Sequence, residues 1–211
     1  MDLTNPESLE QTAHAITSVA QAVPGLKDAV YETISLVWTD PVKRRRRAKN
    51  LEAELRMAEE MIKGQKRLDD ISATLAKEVL EPAMEEDREE FQEIWAALLA
   101  RILVGKEKII SRKIIEIIKE CDSHTAIILS SLPEVLEDTR QNMIIEEIVE
   151  VIVNKKEDIV DIDDVSIALR WLEEKGCLKE LGRSPVSYTT TALGRKLLQA
   201  VTFPEDKKET E

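Results

Sequence analysis

Six cations crowd into seven positions of this chain: Lys43, Arg44, Arg45, Arg46, Arg47 and Lys49. Guanidinium and ammonium groups at that density grip phosphate, whether on nucleic acid, a lipid headgroup or a nucleotide. The competing reading is a solvated helix face that pairs with the protein's own carboxylates. On a helix, Arg44 and Arg47 share one side while Lys43 and Arg46 lie on another, so the charge spreads round the axis. The whole chain carries a net charge of −12. Nucleic acid and anionic lipid repel such a protein on average, which makes nucleic acid the disfavoured partner.

Other groups that could do chemistry are sparse. Cys121 and His124 are three residues apart, within reach of one metal ion on a helix, but the remaining candidates are only Cys177 and His14. A structural zinc site shows paired ligands at both ends, so no metal is expected. Asp158, Asp161, Asp163 and Asp164 suggest a calcium loop until the sixth and twelfth positions are read. Counted from Asp161 these are Ser166 and Leu172, where the loop needs glycine and glutamate. The sequence has no glycine-rich phosphate loop, no G-x-S-x-G and no H-E-x-x-H. The expectation is a non-enzymatic protein without cofactors.

The elements that position these groups are mostly helices. Hydrophobic residues make up 43% of the 211-residue chain and charged residues 34%, with six glycines and seven prolines. Such a composition reads as mainly α. Residues 8–23 and 26–38 form amphipathic stripes, broken by Pro24-Gly25. Val42 to Ile62 predicts a longer helix, basic in its first turns and carrying a seam of Leu51, Leu55, Ala58 and Ile62. Residues 66–80 predict another, with Pro82 leading out of it. In FQEIWAALLARIL, residues 91–103, large apolar groups recur in steps of three and one, one broad helical stripe. Ala96, Ala97 and Ala100 would let a neighbouring helix approach, and Arg101 is expected to snorkel outward.

Further helices are predicted at 107–121, at 125–132 behind a Ser123 cap, and at 141–153, where the Ile and Val content also tolerates a strand. From about 158 the texture changes. Asp163 can cap a helix bearing Ile167, Ala168, Trp171 and Leu172, ended by Gly176. Two β-like runs, Cys177–Leu181 and Val186–Thr190, flank a Gly182-Arg183-Ser184-Pro185 turn, and Thr191 can cap a final helix. Helix, strand, turn, strand, helix, after two earlier helices, is the order of a winged helix. Its exposed positions, Asp163, Asp164, Arg170, Glu173 and Glu174, are four-fifths acidic, and the turn offers only Arg183 with Lys179 nearby. That charge suits protein packing or dimerisation better than DNA.

The expected architecture is therefore a multi-helix bundle followed by a small winged-helix-like α/β module. Amphipathic helices fill 1–40, a central helical region 41–121, the winged-helix-like module 122–203, and a disordered tail 204–211. Two cysteines far apart suit a reducing cytosol. The acidic start MDLTNPESLE does not read as a signal peptide, and no apolar run reaches the roughly 18 residues of a membrane span. The expected location is the cytoplasm, with the inner face of the membrane as the alternative.

The motif WTDPVKRRRRAKNLE, the acidic lead into FQEIWAALLARIL, and the C-terminal RWLEEKGCLKEL and YTTTALGRKLL together resemble the bacterial abortive-infection alpha family. That family has a run of the form E-L-W-A-x-L-L-A near its middle and a closing Y-x-L-T-x-L-G-x-x-L. Here Thr190 stands in place of the leucine before the threonine. The resemblance covers about residues 24–202 and implies a cytosolic protein of antiphage defence, without catalytic residues to transfer. The first expectation is thus an interaction protein of abortive infection that acts through helical contacts with a protein partner or itself. One alternative is a membrane-surface effector using residues 8–49, since Trp38 beside arginines makes an amphipathic edge that Asp28, Glu32 and Asp40 oppose. The other is a winged-helix nucleic-acid-binding regulator.

Overall fold

The computed structural model describes residues 41–68, 71–138, 143–144, 148–149, 152, 160–182 and 186–203, with backbone alone at 41–42, 44–45, 134–138 and 143–144. The amphipathic segments expected within 1–40 and the tail at 204–211 lie outside the described residues. Two compact units divide the protein. Among the described residues, one comprises 41–108 together with Phe203; the other lies within Ile109–Thr202. The boundary therefore falls before the helix of residues 112–120, which the sequence grouped with the central region. That helix packs against the last helix of the second unit, a long-range contact that periodicity does not encode.

In the first unit, α1 spans Pro41–Met61, α2 Ala73–Glu85 and α3 Glu89–Leu103. The seam of α1, Leu51, Leu55, Ala58 and Ile62, is buried, as the spacing predicts. The most extensive packing in the unit is α1 on α3, followed by α1 on α2. The predicted helix 66–80 is shifted. Ser72 caps α2 by accepting from the Leu75 N–H at 3.4 Å, and the helix then runs through Pro82 to Glu85. Pro82 sits in the last turn, where its missing N–H forfeits one bond just before the helix ends. In α3 every residue from Ile94 to Leu103 is buried, so the expected stripe widens to the whole circumference. Each large aliphatic group so buried contributes about 2 kcal/mol from removal of apolar area from water.

In the second unit, α4 is Arg112–Glu120, α5 Ser123–Asp138, α6 Ile162–Glu174 and α7 Ala192–Val201, with strands β1 Met143–Ile144, β2 Leu178–Glu180 and β3 Ser187–Thr190. The antiparallel sheet has the order β1-β3-β2, with Met143 opposite Tyr188 and Leu178 opposite Thr190. A helix, a strand, further helix and then a hairpin, with the first strand beside the third, is winged-helix topology. Residues 143–144 are thus strand where a helix was expected from 141; helical backbone begins again at 148–149. The pairing edge of β3 decides between states that the Met-Ile-Ile sequence tolerates equally.

Caps set the ends of these helices. Asp122, not Ser123, caps α5, accepting from the Thr125 N–H at 2.7 Å. Asp161, not Asp163, caps α6 in a reciprocal box with Asp164. The core face of α6 is Val165, Ala168, Leu169 and Leu172; Ala168 and Leu172 are buried as expected, while Ile167 is turned outward and Trp171 is half-buried. Thr191 caps α7 as expected, accepting from the Gly194 N–H at 3.0 Å. Its own hydroxyl donates towards the carbonyls of Gly176 and Cys177, and its N–H donates to the Cys177 carbonyl at 3.0 Å.

Gly194 lies against that same carbonyl. A Cβ there would stand 1.9 Å from the Cys177 oxygen, so backbone would have to move. Helix propensity alone gives Gly194→Ala a gain of roughly 1 kcal/mol. The close approach predicts the opposite sign, a loss of about 2–3 kcal/mol from overpacking. Urea unfolding of the variant decides between them, and a midpoint equal to or above the wild-type value would rule out this contact.

Candidate functional site

The basic run opens α1. Lys43, Arg46 and Lys49 are exposed and Arg47 is half-buried. Arg46 reaches Glu85 at 3.4 Å and Asp87 at 4.0 Å, and Arg47 forms an ion pair with Glu85. Glu85 ends α2 and Asp87 sits in the link to α3, so packing α1 on α2 brings these acids to the arginines. Arg46 and Arg47 thus serve the pairing reading of the run. The side chains of Arg44 and Arg45 lie outside the described residues.

Behind this surface the α1 seam hides an acid. Glu54 is 0% exposed, and neither carboxylate oxygen has a hydrogen-bond partner among the described residues. Burial, with the nearby Glu86 charge adding to it, pushes its carboxyl up to about 10. Glu54 is therefore a neutral acid at pH 7. One turn before it, Asn50 is buried and donates to the Met84 carbonyl at 3.2 Å. Glu86 is treated differently. Burial raises its carboxyl, but two 2.7 Å bonds from the Arg88 guanidinium outweigh that and leave it below the ordinary value. The spacing could have revealed Glu54, since it lies three residues after Leu51 and four before Ala58, inside the seam.

Arg101 corrects an expectation. It does not snorkel; it is 4% exposed, and burial pushes its guanidinium below the ordinary value. It lies 5.5 Å from the Phe203 ring, which also stands 5.4 Å from the Lys106 ammonium. A helix covered on every side leaves no outlet even for a long stem.

The remaining sulfur and imidazole groups are structural in their surroundings. Cys121 and Cys177 are free and buried, and burial first of all pushes their thiols up to about 12 and about 11. A thiol so raised is a poor nucleophile and a poor metal ligand. His124 Nδ1 stands 2.9 Å from the Asp164 carboxylate and ties the start of α5 to the start of α6. No cluster of three metal-ligating side chains occurs among the described residues.

The outward side of α6 is acidic as the sequence suggests; the exposure of Ile167 on it is what sequence reasoning missed. Asp163, Ile167, Arg170 and Glu174 are exposed along it and Trp171 flanks them half-buried. Ile167 is 63% exposed and Ile162 54%, while Val186, leading into β3, is 40% exposed. Asp164 is held in the cap and by His124, and Glu173 accepts from the Glu180 N–H at 2.9 Å. Lys175 is engaged by Glu120 and lies 5.3 Å from the Trp171 ring. The face therefore presents an isoleucine between two carboxylates, with Arg170 as its outward cation. Of the wing, Lys179 is exposed, and Arg183 lies outside the described residues.

No helix of the described residues is long and apolar enough to cross a membrane. Fold and face together define a mainly helical protein with a winged-helix-like unit that exposes apolar and acidic groups. Comparison with known proteins gave no matching family model, no matching curated protein and no matching solved structure.

Glu54 gives a prediction with a definite sign. Its folded-state value is raised, so its stabilising contribution is complete below about pH 4.5, declines as pH rises, and is gone above about pH 10. Between pH 4.5 and 7 this amounts to at most about 3 kcal/mol. Glu54→Gln keeps the neutral shape and removes the titration. Thermal melting at pH 5 and pH 8 is expected to show near-equal stability at pH 5 and a more stable variant at pH 8. Parallel pH dependence in the two proteins would show that Glu54 is not buried as a neutral acid.

Proposed function

We propose that this protein is a non-enzymatic interaction protein that works through helical protein–protein contacts, in the cytoplasm of a bacterium, as part of abortive-infection defence against phage. One observation carries the contact reading. The helix that would enter a DNA groove turns Ile167 outward between Asp163 and Glu174. Against a duplex those carboxylates would face phosphate, and the isoleucine would find no base edge to satisfy. Against a protein both have partners. The defence setting is supported by the resemblance of FQEIWAALLARIL and YTTTALGRKLL to the abortive-infection alpha family. The carboxylates that engage Arg46 and Arg47 favour this reading over a membrane-surface effector or a nucleic-acid regulator.

Two measurements test it. Phage plated on bacteria producing the protein should form fewer plaques, and Ile167→Asp should restore plating while the protein remains folded. Duplex DNA titrated at low salt should show no binding with the steep salt slope that phosphate contacts produce. Steep binding lost on removing Arg44–Arg47 would replace the proposal with the nucleic-acid reading.

A further inference from the structure

We infer that the outward face of α6 receives a cationic amphipathic helix of a partner protein. This rests on the contact reading above and adds the chemistry of the partner. Asp163, Ile167, Arg170, Trp171 and Glu174 recur at steps of four, three, one and three, so they form one stripe along the helix. Its apolar centre is Ile167 with the flank of Trp171, an i, i+4 ridge of the kind that another helix accepts in its groove. Asp163 and Glu174 stand at its two ends, eleven residues and so roughly 16 Å apart along the axis. From Asp161 to Lys175 there are five acids against two bases. Glu120 engages Lys175, which leaves Arg170 as the outward cation.

The charge selects among occupants. A second copy docking by the same face would set carboxylate against carboxylate in either direction, which costs rather than stabilises. A duplex is opposed for the same reason. A helix with small aliphatic groups along one side and lysine or arginine at both ends satisfies the stripe. Its apolar groups cover Ile167 and Trp171, and its cations meet Asp163 and Glu174.

The test uses the full-length protein and two synthetic helical peptides. They share leucines on one face and differ at their ends, one carrying lysines and the other glutamates. Binding is followed by NMR shifts of the α6 amides. The lysine peptide should bind through α6, and the glutamate peptide should bind at least about tenfold more weakly. Asp163→Lys with Glu174→Lys should reverse that order, and Ile167→Asp should remove binding of both. These positions are exposed, so circular dichroism should show each variant folded. If the lysine peptide binds the charge-reversed variant as tightly as the wild type, or does not shift α6, the inference fails. If both peptides bind equally and both are lost with Ile167→Asp, the cationic partner is wrong while the contact face stands. If Ile167→Asp also leaves phage plating unchanged, the contact face falls too.

Discussion

A helix that is apolar on every side has to be covered on every side, and α3 imposes that condition on the first unit. From Ile94 to Leu103 no residue reaches solvent. Three alanines, Ala96, Ala97 and Ala100, lower parts of its surface so that neighbouring helices come close, while Trp95, Leu98, Leu99, Ile102 and Leu103 fill the spaces between. The placement of α1 and α2 follows, because their apolar seams pack on α3. The ion pairs of Arg46 and Arg47 follow in turn, since α1 lies where Glu85 can reach them.

That enclosure also explains the polar groups inside the unit. Arg101 sits on α3 where the cover is complete, so its guanidinium is carried inward and lies near the Phe203 ring, as does the Lys106 ammonium. Glu54 sits within the seam of α1 and is buried with it. A carboxylate there would be an isolated charge in apolar surroundings, so the group stays protonated. The helical unit thus tolerates a polar residue at a core position by removing its charge, and α1 rests on α3 with an acid in its neutral form.

The second unit depends on a smaller device. Thr191 joins the end of α6 and the start of β2 to α7 through its backbone and its hydroxyl, and Gly194 allows α7 to lie directly on the Cys177 carbonyl. With α6 held at its far end by this clasp and at its start by the Asp161–Asp164 box and His124, its rotation is set. Val165, Ala168, Leu169 and Leu172 turn inward, and Ile167 is left outside. The contact face is thus a consequence of how α6 is anchored.

The sequence by itself determined the helical class, the seam of α1, the existence of α3, the hairpin and the Thr191 cap, because each depends on contacts a few residues apart. Periodicity also held the position of Glu54 in plain sight at a seam spacing. What only the tertiary structure decided were outcomes set by distant partners. Residues 143–144 became strand because β3 offered an edge. Arg101 went inward because α3 was covered on all sides. Ile167 went outward because α6 packs on α5 and β2 through Val165, Ala168, Leu169 and Leu172, which leaves position 167 on the far side. Arg46 and Arg47 found Glu85 because α1 packs on α2. In each case local pattern fixed what the residue could do, and long-range packing chose which of those options had room.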